Sequence, residues 1–254
     1  MEVHHHSHLA SGETHDSGPA IHRGRKKFTH YIWEFLMLFL AVFCGFLAEN
    51  IREHNVERKK GGQYILSFSE DLKKDTIQCD LSIAELTETM SVLQNLVPCF
   101  NTLKENTHAT GCLKEIIFYS RGFKDFIYTD RTIQQLKNAG GLRLIEDKEI
   151  ADSIIDYDAM VREMQIHQGV LENLQQITIN AHKSMIDFIH LDELSRKGQT
   201  DTLFLLSNDI AELNKYFNSI SEFRRGLFGQ LIWMQLIKDK AIRLLDLLHK
   251  KGYK

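Results

Sequence analysis

Residues 35–48 read FLMLFLAVFCGFLA, a run without a charged side chain. As a helix rising about 1.5 Å per residue it would be roughly 21 Å long. Adding Tyr31, Ile32, Trp33 and the single Glu34 brings it to roughly 27 Å, close to the ~30 Å hydrocarbon core of a bilayer. Tyr31 and Trp33 fall where an interfacial aromatic belt belongs, next to Arg23, Arg25, Lys26 and Lys27. A core helix keeps a polar stripe, and this run lacks one for about four turns. Leu47, Ala48 and Glu49 make a poor signal-peptide cleavage site, and the bulky Phe43 before Cys44 spoils a lipoprotein context. The run therefore reads as an uncleaved transmembrane helix over residues 29–50.

On its N-terminal side, residues 1–28 form a His-rich and then basic tail. Six of the thirteen histidines lie between Met1 and His22, among Gly, Ser and Thr and without hydrophobic periodicity, which predicts disorder. His4, His5, His6 and His8 are candidate ligands for zinc, nickel or copper, since neutral imidazoles bind these ions and a flexible tail can wrap one. The plainer reading is a solvated tail that binds metal as any histidine run does.

On the C-terminal side, residues 51–254 read as one soluble helical domain. The chain has 254 residues but only two prolines, Pro19 and Pro98, so long helices are free to form. A net charge of -3, with basic residues only in short clusters, gives no reason to expect nucleic acid. Glu49 to Gln94 continues in helical character, with Gly61 and Gly62 as its soft point and a candidate joint between anchor and domain. Its apolar residues Ile65, Phe68, Leu72, Ile77, Leu81, Ile83, Leu86, Met90, Leu93 and Leu96 predict one buried face, ended by Pro98. Cys99 and Cys112 bracket a loop-like stretch, FNTLKENTHATG. A disulfide there would contribute roughly 3 kcal/mol and would leave Cys79 free on a helix; two unpaired thiols is the other reading.

A short helical pattern runs from Leu113 to Tyr119. Thr129 or Asp130 can cap another short helix, which Gly140 and Gly141 end. Asp147 can cap a long one reaching about Leu191, with a buried face through Ile150, Ile154, Tyr157, Val161, Met164, Leu171 and Leu174. Ser195 to Thr200 is turn-like. From Ile210 as position a, ten of twelve a/d sites to Leu248 are apolar, a bundle or coiled-coil seam. Arg224 and Lys238 are the exceptions, read as stems that pack while their charges reach water.

The opening MEVHHH with WEFLMLFLAVFCGFLAENIREH resembles a recurrent N-terminal pattern of uncharacterised single-pass membrane proteins of Bacteroidota. TIQQLKNAGGLRLIEDKEIADSIIDYD and the ending KAIRLLDLLHKKGYK resemble further signatures of that group. The resemblance implies an envelope location and native histidines, and it implies no activity.

No HExxH, GxxxxGK[ST], GxSxG or CxxC motif occurs, and no catalytic or cofactor-binding constellation is read. The domain's histidines, among them His108, His167, His182 and His190, are scattered; His182 and His190 share one predicted helix only loosely. In the anchor, Ala41, Gly45 and Ala48 share a face that would let two helices approach, making a homodimer one expected partnership. Four basic residues flank each side of the run, so the positive-inside rule gives a tie. The acid-free cluster beside the first turn, the tolerance of long domains for translocation, and a disulfide between Cys99 and Cys112 favour a cytoplasmic N-terminus and a periplasmic C-terminal domain.

The expected fold is all-α, one transmembrane helix followed by an antiparallel bundle of about three long helices with short connecting helices. The expected function is non-enzymatic: an inner-membrane protein, held by the bilayer, whose helical domain binds a protein partner as scaffold or sensor. Metal handling through the N-terminal histidines is the alternative.

Overall fold

The structure, a computed structural model, describes residues 25–138, 140–196 and 203–253, with side chains from Phe28 onward. His4, His5, His6 and His8, and most of the turn expected at 195–200, lie outside the described residues. The helices are α1 (Arg25–Leu93), α2 (Leu96–Glu105), α3 (Leu113–Tyr119), α4 (Arg131–Asn138), α5 (Lys148–Met185), α6 (Phe188–Arg196) and α7 (Ile210–Lys250). Short 3-10 turns stand at Thr110–Cys112 and Gly141–Leu144. The described chain is all-α: it contains no strand, only an isolated bridge between Ile186 and Leu205. Internal packing divides it into two units, Met1–Asn55 and Val56–Lys254.

In the first unit, α1 exposes every described side chain from Phe28 to Asn55. Among the described residues this is the one helix long and apolar enough to cross a membrane. Glu34 does not stand alone in the run: His30 lies 3.4 Å from it, one turn earlier. Phe35, Phe39 and Phe43 stack along one side, with ring centroids 6.3 and 5.9 Å apart.

The second unit has one core. Within it α5 and α7 run in opposite directions. Lys251 pairs with Asp147 and Glu149 at 2.7 and 3.0 Å, Lys240 with Asp156 at 3.2 Å, and the Thr178 hydroxyl donates to the Ser219 carbonyl at 3.2 Å. Asp147 caps α5, accepting from the amides of Glu149 and Ile150 at 3.0 and 3.3 Å, and Asp209 caps α7 in the same way. Ile150, Ile154, Tyr157, Val161, Met164 and Leu171 of the expected α5 stripe are buried, with Leu174 half-buried. Along the Val56–Leu93 part of α1, Phe68 meets Tyr157 of α5 edge-on at 6.2 Å, and Asp80 pairs with Lys238 of α7.

Several boundaries differ from the sequence reading. The buried stripe of α1 runs through Phe68, Leu72, Asp75, Cys79, Ser82, Leu86, Thr89 and Leu93. Ile77 and Leu81, expected inside, are 61% and 56% exposed. Hydropathy alone skips the polar members of that stripe, which are accommodated because Asp71 and Asp75 find partners. On α7 the buried seam is Leu213, Tyr216, Phe217, Ile220, Phe223, Leu227, Gln230, Met234, Ile237, Ala241, Leu244 and Leu248. This keeps the expected d positions and the a position Phe217, and from Arg224 onward it takes the residue just before each remaining a position. Arg224 and Lys238 therefore flank the seam.

Pro98 does not end α1, which stops at Leu93; it sits in the first turn of α2, where no intrahelical amide is needed. The stretch read as loop is helical to Glu105, because Leu96, Cys99 and Leu103 form a buried stripe. Helix α5 ends at Met185, short of Leu191, because the 203–206 segment captures its terminal backbone groups. The Leu206 amide donates to the Met185 carbonyl at 2.9 Å, and the Asp187 amide to the Phe204 carbonyl at 3.0 Å.

Gly61 and Gly62 are no joint, since α1 stays helical through both. Gly61 is buried, and a Cβ there would lie 2.1 Å from the Leu144 carbonyl oxygen. In an open helix Gly→Ala stabilises by about 1 kcal/mol. Here the opposing atom is backbone and must move, so Gly61→Ala is expected to lower unfolding stability by about 1–3 kcal/mol. Denaturant unfolding of the full chain in detergent checks this; a more stable variant would contradict the close approach.

Candidate functional site

A concavity of the second unit lies between α3 and α6. It has a volume of about 470 Å³ and is lined by Ile117, Phe118, Arg121, Phe188, Leu191 and Leu203, among others. The floor is apolar and the rim carries Lys114, Glu115 and Arg121, whose guanidinium stands 6.0 Å over the Phe188 ring. Three ties hold its walls. Cys99 and Cys112 are joined with their Cα atoms 5.6 Å apart, linking α2 to the turn that starts α3. The Thr110 hydroxyl donates to the Leu203 carbonyl at 2.8 Å and accepts from the Leu203 amide at 3.3 Å. The third tie is a buried polar array behind the groove.

That array joins the ends of α3, α5 and the start of α7. His182 Nε2 lies 3.0 Å from Ser120 Oγ, and His182 Nδ1 lies 3.0 Å from the Tyr216 hydroxyl. All three side chains are buried. The Ser120 hydroxyl donates to the Ile116 carbonyl. It must therefore accept from Nε2–H, leaving Nδ1 to accept from Tyr216. A serine activated as a nucleophile needs the opposite polarity, with the imidazole accepting the hydroxyl proton. The array is wired to position three helices.

A second polar array ties α1, α4 and α5. Asp71 accepts from the Thr132 amide at 3.2 Å, from the Thr132 hydroxyl, and from Arg131 at 3.3 Å. Asp75 accepts from the Thr129 amide at 3.0 Å and the Tyr157 hydroxyl at 2.8 Å. Burial pushes the Asp75 pKa up, against the pull of those hydrogen bonds. Asp158 receives Arg162 at 2.9 Å and also Lys137. Burial works against its charge too, but these two cations hold its pKa below the usual carboxylate range. Thus the amide at the start of α4 is received by a carboxylate from α1, where Thr129 or Asp130 was the expected cap.

The scattered histidines stay scattered. His190 belongs to α6, not to the helix of His182; its ring meets Phe204 edge-on at 4.3 Å. His167 lies 3.3 Å from the Gly226 carbonyl on α7, and the His108 amide donates to the Asn106 side chain at 3.1 Å. No group of three or more His, Cys, Asp or Glu that could hold a metal occurs among the described residues. Cys79 is free and buried, and burial raises its thiol pKa to about 12. In the first unit Ala41, Gly45 and Ala48 are exposed, with open space beside Gly45. The sequence reading missed both arrays; the available signals were carboxylates at 71 and 75 and His182 on otherwise apolar stripes.

Burial holds the His182 pKa at about 4, against 6.5 for an exposed imidazole. Folding therefore favours the neutral ring. Its contribution is intact above pH 6.5 and is lost as pH falls toward 4, by about 3 kcal/mol at most. The difference in unfolding free energy between the native chain and His182→Gln should shrink across that window. A difference independent of pH would show that the imidazole is not held neutral.

Comparison of the chain with protein-family models, with curated proteins and with solved structures finds no match, so its function has to be read from its own residues.

Proposed function

We propose that the chain is a non-enzymatic, single-pass membrane protein. In this reading residues 29–50 anchor it in the inner membrane, and the helical unit beyond them binds a protein partner as scaffold or sensor. The observation that carries the reading is that every large apolar side chain from Phe28 to Leu47 is exposed, by 40% to 74%, with no core to enter. In water such a surface is unfavourable by roughly 25 cal/mol per Å²; hydrocarbon removes that cost. The second unit, by contrast, has a core of its own. The opposite senses of α5 and α7, and the pairing of α1 side chains with both, support an antiparallel-type bundle of three long helices. The groove between α3 and α6, with its apolar floor and charged rim, is the kind of surface that takes an apolar segment of a partner.

A periplasmic location for the helical unit is supported by the pairing of Cys99 with Cys112, since disulfides persist mainly in oxidising compartments. Cys99 is buried and Cys112 half-buried, and together they tie α2 to the turn before α3.

Two measurements test the proposal. Mild crosslinking in intact cells should recover partners whose capture depends on residues beyond Glu49; recovery by the tail alone defeats the interaction reading. For topology, a membrane-impermeant thiol reagent should label Cys112, the more exposed of the pair, only after mild reduction, with Cys79 silent because of its burial. Labelling that needs lysis and no reduction places the helical unit in the cytoplasm instead.

A further inference from the structure

At one end of the helical unit, four of its segments lie side by side. Gly61 of α1 packs on the Leu144 carbonyl, and a Cβ on Gly62 would lie 3.9 Å from the Tyr253 ring. Arg143 pairs with Glu57 at 3.6 Å, and Lys251 with Asp147 and Glu149 at 2.7 and 3.0 Å. These contacts gather the 57–62 stretch of α1, the 141–147 turn, the start of α5 and the end of α7. They also engage most of the acids there: Glu57, Asp147 and Glu149 each have a basic partner within the end, and Glu146 stands outside these pairs. Arg58, Lys59, Lys60, Lys148 and Lys250 belong to the same end and are all exposed, so it carries an excess of positive charge. Residues 56–254 as a whole hold 26 Lys and Arg against 28 Asp and Glu, so the remainder of the unit is net acidic and the excess is local.

We infer that this basic end seats on the anionic phospholipid headgroups of the bilayer that holds the chain. Two observations choose that occupant. The first is charge: lysine and arginine on long stems reach the phosphates of a membrane surface, and their attractions add over a cluster. The second is chain length. The unit begins at Val56, six residues after residue 50, and six residues span at most about 20 Å even when fully extended. The segment from Glu57 to Lys60 is therefore held close to the bilayer, and the contacts above carry Lys148 and Lys250 with it. Tethering presents the cluster to headgroups at high effective concentration, so attractions too weak to recruit a free protein suffice. A soluble acidic partner has no such advantage. The inference deepens the anchored reading and rests on residues 29–50 spanning the bilayer. It holds for either face of the membrane that carries anionic lipid.

The test is lysine footprinting of the full-length chain in lipid nanodiscs, using a water-soluble acetylating reagent and mass spectrometry of the peptides. Discs of phosphatidylcholine alone are compared with discs holding equal parts of phosphatidylcholine and phosphatidylglycerol. In the anionic discs, acetylation of Lys59, Lys60, Lys148 and Lys250 should slow about fivefold. Lys183 near the end of α5, and Lys104 on α2, which packs through Phe100 on Phe217 near the start of α7, should be unchanged. K59E/K60E should restore fast acetylation at Lys148 and Lys250, whereas K59R/K60R should keep it slow, which separates loss of charge from misfolding. Equal rates in the two kinds of disc overturn the inference. So does slowing at Lys59 and Lys60 alone, which needs only their place in the chain, or slowing at every lysine, which needs no particular end. Inorganic phosphate added to the phosphatidylcholine discs should protect none of these lysines; protection would assign a small-anion site instead of a lipid surface. A chain that enters neither kind of disc defeats the anchored reading and this inference together, whereas entry with equal rates defeats the inference alone.

Discussion

Two carboxylates of α1, Asp71 and Asp75, sit in the core of the helical unit and receive the backbone amides of Thr132 and Thr129. An unpaired carboxylate in that setting costs several kcal/mol, so the unit holds together only if the 129–132 segment is delivered to it. Delivery has consequences in both directions. Helix α4 starts on a cap supplied from another helix, and its Lys137 then reaches Asp158 on α5. Tyr157 of α5 places its hydroxyl on Asp75 and its ring against Phe68. Three helices are thereby joined by directional bonds with defined partners, which set their register more tightly than apolar contact does.

The α5–α7 pair is assembled on a different principle. Its contacts are close approaches at Gly226 and Gly229, a seam of apolar side chains, and ion pairs at the rim. The Ser120–His182–Tyr216 array closes the end of this pair where α3 arrives. The unit thus has polar bonds where short elements must be captured and apolar packing where long helices run side by side.

Some features were legible because their physics is local. Asp147 before an apolar-periodic run marks a cap, and the α5 stripe from Ile150 to Leu171 follows from 3.6-residue spacing alone. Gly140 adopts a left-handed conformation at φ 62°, as the end of α4 requires. The seam of α7 was legible in period but not in phase. Its d positions and Phe217 are buried, yet beyond Phe217 the residue before each a position, such as Phe223 or Ile237, takes the inner place. A rotation of that size leaves the apolar count almost unchanged, so composition cannot choose between the two phases. On α1, Ile77 and Leu81 looked better suited to the core than Asp75 and Ser82, and they point outward.

What the sequence by itself determined is what depends on neighbours along the chain. This covers an all-helical class from near absence of proline, an uninterrupted apolar run at 35–48, helix starts at capping residues, and the spacing of the core stripes. What only the tertiary structure decided is which face of each helix goes inside and what the polar residues do there. Asp71, Asp75 and His182 are costly in a core when considered singly and become fixed parts of it when Thr132, Thr129, Ser120 and Tyr216 arrive from distant segments. The same holds for Gly61, whose missing side chain acquires a purpose only when the Leu144 carbonyl is packed against it. The energy of a buried polar group is set by its partners, and those partners are brought together by folding rather than by adjacency in the sequence.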